Sequence, residues 1–431
     1  MASCQIDEVS VFDVRYPLPP GAGSDAVHTN PEYCLAVTQL RSSQSSLAGT
    51  GFALTLGAGN RLVCDAIQLL ARSLQGQPIE DLMAGFGAVA RQMADDPVLR
   101  WLGPHKGVIH LALASITNAC FDLWAQSRGV PLWRLLLDLT PEQVVQLLDL
   151  SYLDEVLDER AALDLLRRNL GTRGEREAIL AAGYPGYDTS VGWLAYTDGK
   201  VSELTRRAVD QGFSAFKLKV GSSDRTRDLR RAAVLREAAG DAASIMFDAN
   251  QQWTVPVARQ MCAELAKLSP RWIEEPTHPD DLMGHVTLAR ELLPVRIATG
   301  EHIPNRVVFR NFMQAGAVHY VQADCTRLAG VSEFLTVSML ATQFGLPVVP
   351  HVGDMGQIHQ HLVLFNHIAL GHDALFLEHI PHLQQHFAFP AQVEGGRYRT
   401  PQEPGASTAL RDPLERNLAQ VGFEKGRQTH P

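Results

Sequence analysis

The chain has 431 residues, 45% of them hydrophobic and 20% charged, which is enough for two or three domains with a substantial core. Its 38 Lys and Arg against 47 Asp and Glu give a formal charge of −9, which argues against a nucleic-acid partner but not against a small local basic site. Six cysteines with no C-x-x-C pair read as reduced thiols, and the first residues lack a secretory signal, so a soluble cytoplasmic protein without membrane contact is expected.

In chain order, apolar and polar residues alternate over Ile6 to Val14, Tyr33 to Leu40 and Gly51 to Leu56, predicting a small antiparallel sheet. A polar loop, Gly21 to Pro31, separates the first two runs. From Asn60 to about Leu137 the period becomes helical, with Asp65 to Ser73 and Val108 to Gln126 the clearest helices. The second of these carries His110, Asn118 and Asp122 and reads as a buried helix, not a membrane span. Residues 1–140 are therefore expected to form an α+β capping domain, and 141–186 a helical insert. From 187 to 395 short β-rich runs alternate with amphipathic helices. The runs are Ser190–Tyr196, Ala215–Val220, Ser244–Asp248, Arg271–Glu275, Val295–Glu301, His319–Asp324, Leu346–His351 and Ala374–Glu378. Eight strand–helix units predict a modified TIM (β/α) barrel. Residues 396–431 are expected to return to the capping domain.

A titratable residue closes nearly every run. Lys219, Asp248, Glu274, Glu301, Asp324, His351 and Glu378 follow one another at intervals of 29, 26, 27, 23, 27 and 27, the length of one strand plus one helix. Barrel strands end at a common mouth, so these groups are expected to converge. Asp248, Glu274 and Glu301 could not all remain ionised together without a cation, and three hard oxygen ligands suit one Mg²⁺ per subunit. Lys217 and Lys219 share one strand face; mutual repulsion and burial are expected to lower their pKa, Lys217 holding a substrate carboxylate and Lys219 moving a proton. Asp324 is positioned to orient His351. Such a set fits removal of the weakly acidic proton beside a carboxylate, where the developing anion needs strong stabilisation.

Phe216-Lys-Leu-Lys-Val-Gly221, Phe247-Asp-Ala-Asn-Gln-Gln-Trp253, Trp272-Ile-Glu-Glu-Pro276, Ala298-Thr-Gly-Glu-His302 and Pro350-His351 resemble the mandelate-racemase branch of the enolase superfamily. Asp25 to Tyr33, Leu102 to Gly107, Pro279 to His285, Asp324 to Gly330 and Pro401 to Thr408 extend that likeness to the L-fuconate dehydratases, over nearly the whole chain. The resemblance implies a capping domain over the barrel, Mg²⁺ on Asp248, Glu274 and Glu301, and Lys219 and His351 as acid–base catalysts with Asp324 behind His351. It further implies that Ser24, Asp25, Tyr33, Lys217, Asn250, His302 and Glu378 contact a small-molecule acid sugar, and that the protein is a homo-oligomer.

One stretch departs from the family. After His351 the family reads Ala-Gly-Gly-Val-Gly-Leu-Cys-Glu-Leu-Val-Gln-His, whereas here the run Val352 to His361 is about two residues shorter, with Asp354 and Met355 at the mouth. His359 and His361, two apart on a predicted helix, do not face one another and are read as structural. The expected reaction is dehydration of an aldonate to a 2-keto-3-deoxy acid. Its rivals are an epimerase or racemase using the same Lys–His pair, an amidohydrolase (disfavoured because Ser190–Tyr196 lacks a His-x-His) and a non-catalytic scaffold.

Overall fold

Alternating side chains in the first 60 residues build a three-stranded antiparallel meander: β1 (Glu8–Pro17), β2 (Glu32–Ser42) and β3 (Leu47–Leu56), paired in that order. The structure, a computed structural model, describes residues 4–43, 46–103, 105–352 and 355–411. Asp354 therefore lies outside the described residues, as do the Met355 side chain, Pro104 and the tail from 412 onward.

The meander lies on the helix Gly107–Ser127. A Cβ on Gly51 would come within 2.2 Å of Ala119 N and Ser115 O, so strand and helix touch backbone to backbone only because position 51 has no side chain. This helix is long and apolar enough to cross a membrane, yet 89% of its most apolar stretch is buried inside the fold. Its polar residues are engaged there: Asn118 Nδ2 donates to Cys325 O at 3.0 Å, and Asp122 accepts the Thr50 N–H at 2.8 Å.

The parallel strands that follow are β4 (Tyr184–Asp188), β5 (Ala215–Lys219), β6 (Ser244–Asp248), β7 (Trp272–Glu274), β8 (Arg296–Thr299) and β9 (Tyr320–Val321), each paired with the next. The seventh position is a single parallel bridge from Val321 to Val348, and the eighth, β10 (Leu377–His379), pairs in parallel with β4. This is the TIM-type barrel expected, with two corrections: the expected strand Leu346–His351 makes only that bridge, and the first strand lies elsewhere. The first barrel strand is Tyr184–Asp188, before the expected boundary at 187, while Ser190–Tyr196 is the loop that follows it. Pro185 and Gly186 give β4 an unpromising sequence, since Pro lacks a donor and Gly a side chain. The Val, Trp and Tyr of the loop are apolar because Val191, Trp193 and Tyr196 are buried beneath the capping domain.

The hairpin β11 (Val393–Glu394) and β12 (Arg397–Tyr398) extends the sheet beside β4. The chain then runs back along the helix Gly107–Ser127, where the Ala406 N–H donates to Asp122 at 2.6 Å and the Thr408 hydroxyl to Thr50 O.

Candidate active site

The barrel strands deliver their terminal side chains into one region. Asp248, Glu274 and Glu301 are all buried, and one oxygen from each lies within 4.8 Å of the others. Glu301 Oε2 is buried without a hydrogen-bond partner, although His351 Nε2 stands 3.0 Å away off the line of its N–H. Three converging hard oxygens, one of them unspent, fit a divalent cation. Glu275, Glu301 and His302 form a second group of the same compactness beside it.

Lys217 and Lys219 point inward as expected, but their charge state is the reverse of that expected. Lys217 Nζ lies 2.7 Å from both Glu274 Oε1 and Glu378 Oε1, and Lys219 Nζ lies 2.5 Å from Asp248 Oδ2. Burial lowers both lysines, but the carboxylates outweigh it and raise them above their ordinary value. Lys217 Nζ also stands 3.6 Å from Asp248 Oδ2, the oxygen that holds Lys219, so the two ammonium groups share that carboxylate and Lys217 lowers Lys219 against its pull. Burial and the neighbouring carboxylates raise Glu274 while Lys217 opposes them. Its oxygens also accept from Gln322 Nε2 at 2.7 Å and Trp272 Nε1 at 3.2 Å, so three donors favour the anion.

On the other side of the three carboxylate strands, His351 Nδ1 meets Asp324 Oδ2 at 2.8 Å. Burial lowers His351, but Glu301 and Asp324 outweigh it and raise it to about 9. Burial would raise Asp324, yet His359 and His351 hold it well below the carboxylate range. Glu301 is likewise held low against burial by His351, His302 and Lys219.

A cavity of about 400 Å³ opens above these groups, lined among others by Asp25, His28, Tyr33, Trp193, Lys219, Asn250, His302, Arg327, His351 and Glu378. Asp25, Tyr33, Asn250, His302 and Glu378, which the resemblance implies as substrate contacts, thus line one cavity. Asn250 Oδ1 and Glu378 Oε2 are buried acceptors without partners. Two residues expected to touch substrate do not line the cavity. Ser24 Oγ donates to Gly21 O at 2.7 Å and accepts the Ala195 N–H at 2.9 Å, which pins the capping loop to the first barrel loop. Lys217 is fully buried below the cavity and spent on its three carboxylates.

Sequence reasoning missed four residues. Glu275, fully buried, accepts from Gln251 Nε2 at 2.7 Å and lies 2.9 Å from His302 Nδ1. Asn250, Gln251 and Glu275 take positive φ of 43°, 66° and 43° just past the strand ends; the first two line the cavity, and Glu275 is buried behind Gln251 and His302. Arg327 stands 3.7 Å from Glu301, and His28 3.0 Å from Asp25. His359 is the fourth. The Glu274-Glu275 pair and the Asp324 to Gly330 run were the available signals.

A family model described as Enolase C-terminal domain-like matches residues 200–414. Human mitochondrial enolase superfamily member 1 is 39% identical over 421 residues, covering 96% of this chain and 95% of its own. Its crystal structure gives a TM-score of 0.91 over 95% of each chain. The L-galactonate dehydratase of Hypocrea jecorina is 39% identical over 408 residues, 93% of this chain and 90% of its own. L-talarate/galactarate dehydratase from Salmonella typhimurium LT2, whose crystal structure is liganded with Mg and L-lyxarohydroxamate, gives a TM-score of 0.77 at 25% identity over 96% of this chain and 93% of that one. With that likeness over almost its whole length, and with acid-sugar dehydratases among its relatives, the chain belongs to the enolase superfamily.

Proposed function

We propose that the protein is a Mg²⁺-dependent sugar-acid dehydratase acting on L-fuconate or a stereochemically close aldonate. The observation that carries this reading is the placing of Lys219 and His351 at one cavity, on either side of the strands bearing Asp248, Glu274 and Glu301. Bound there by the three carboxylates, Mg²⁺ supplies the positive field that stabilises charge developing on a substrate carboxylate.

Lys219 Nζ, as the neutral amine after its own proton has passed to solvent through the cavity it lines, takes the C2 proton to give an enediolate. His351, its Nδ1 held by Asp324, gives an Nε2 proton to the departing 3-hydroxyl, which leaves as water, and the enol ketonises to a 2-keto-3-deoxy acid. Asp324 keeps the imidazole oriented for that transfer. The unpartnered oxygens of Asn250 and Glu378 accept from sugar hydroxyls once water is excluded. Leu54, Leu56, Leu111 and Ile380 give the cavity an apolar wall, which suits the terminal methyl of a 6-deoxy aldonate better than the second carboxylate of a diacid.

The test is keto-acid formation, read with semicarbazide, from a panel containing L-fuconate, L-galactonate and galactarate, with Lys219→Ala as control. Product from L-fuconate, little from galactarate, and loss of C2 proton exchange in the variant are expected. Epimerisation without keto acid, or undiminished exchange in Lys219→Ala, contradicts the reading.

A further inference from the structure

The Asp324–His351 pair has a third neighbour that the reaction above leaves unused. His359 sits in the first turn of the helix Ile358–Phe365 and is fully buried. Its Nε2 accepts the Cys325 backbone N–H at 3.1 Å and lies 3.1 Å from Asp324 Oδ1, with the Cys325 sulfur at 3.3 Å. The other ring nitrogen, Nδ1, is buried and has no hydrogen-bond partner. The polar edge of this side chain is therefore spent wholly on the Asp324–Cys325 segment.

That segment sets the geometry of the acid–base pair. Asp324 Oδ1 also accepts from the Thr326 backbone N–H and hydroxyl, both at 2.7 Å, which leaves Oδ2 facing His351 Nδ1. If the Cys325 amide moved, the carboxylate carried by the preceding residue would move with it.

His359 is one of two histidines, His359 and His361, at the end of the run Val352 to His361 that departs from the resembled family. His361 is occupied elsewhere, accepting the Trp133 N–H at 3.2 Å. A buried imidazole carries a desolvation penalty unless its polar atoms find work, and Nε2 finds it as the acceptor of the Cys325 N–H, beside the catalytic carboxylate.

We infer that His359 is a positioning residue for His351. By holding the Asp324–Cys325 peptide it keeps Asp324 Oδ2 on His351. His359 does not line the cavity and touches no reacting atom. The kinetic consequence rests on the dehydratase reading; the structural one does not.

Two variants separate positioning from packing. His359→Val removes every polar atom of the side chain, whereas the amide oxygen of His359→Gln can still accept the Cys325 N–H. The first readout needs no substrate: the downfield proton resonance of the His351–Asp324 hydrogen bond, assigned by its loss in His351→Asn. It is expected to stay in place in His359→Gln and to shift or broaden in His359→Val. The second uses whichever acid sugar the wild type dehydrates. His359→Val is expected to lower kcat about tenfold at nearly constant KM, His359→Gln to recover most of that loss, and Lys219-dependent C2 exchange to be slowed less than dehydration. An unmoved His351 resonance in His359→Val overturns the inference. So does an equal loss in both variants with a parallel fall in Tm, the mark of packing alone. If the wild type dehydrates no acid sugar, the functional reading fails, and the His351 resonance alone decides for or against His359.

Discussion

Lys217 and Lys219 stand two positions apart on β5 and share Asp248, but Lys217 also holds Glu274 and Glu378, and this separates their tasks. Lys217 is the internal counterion of Asp248, Glu274 and Glu378. Removing one partner of a buried charge cluster leaves the rest uncompensated, at a cost of about 3–5 kcal/mol. Lys217→Met is therefore expected to lower Tm sharply in EDTA and to regain part of it when Mg²⁺ is added. Equal Tm values for variant and wild type in EDTA would contradict that role. Much of the site was legible at this scale because one ionisable residue recurs at each strand end. The lysine charge states were not, because spacing shows which groups share a face but not which oxygen each ammonium reaches. Glu275 and His359 stayed hidden for a similar reason. A positive φ turns the first toward His302, and only the folded helix carries the second to Asp324.

Among the elements, the helix Gly107–Ser127 does more than fill the capping domain. Asp122 Oδ2 accepts from Thr50 N and Gln126 Nε2, and Oδ1 from Ala406 N, so one side chain ties β3 to the C-terminal segment. Asp122→Asn would turn an amide donor toward one of those backbone N–H groups. It is expected to cost about 1–3 kcal/mol in urea unfolding; an unchanged unfolding midpoint would show that the tie is dispensable. The three cap strands were readable because each presents one face to this helix and alternates accordingly. The first barrel strand was not, since Pro185 and Gly186 lack β character and β4 is held by neighbours distant in sequence, β10 and β12. The seventh strand was over-read: its Val-rich run makes only the bridge Val321–Val348.

For the whole molecule, cap, insert and barrel close over buried neutral histidines. Burial pushes His110 and His361 down to about 3. The unfolded chain binds those protons near pH 6.5, so each histidine's contribution is present above about 6.5 and is lost as pH falls toward 3. Asp122, raised by burial to about 6, acts with the opposite sign, losing its contribution as pH rises through that value. The informative comparison is therefore between wild type and His361→Gln. From pH 7 to pH 5 the variant's Tm should fall less steeply, and parallel curves would contradict the assignment.

The eightfold repeat made the barrel legible, and the resemblance supplied the cap's place over it. The 400 Å³ cavity between them was not visible in any single stretch, because its walls come from β2, β3, the capping loop, the helix Gly107–Ser127 and the ends of seven barrel strands or the loops that follow them. The most direct test of the account is a Mg²⁺ titration of metal-stripped protein, following keto-acid formation from L-fuconate in wild type and Asp248→Asn. The account predicts no product in EDTA, recovery with Mg²⁺ in the wild type and none in the variant. Full turnover in EDTA, or equal recovery in both proteins, would contradict it.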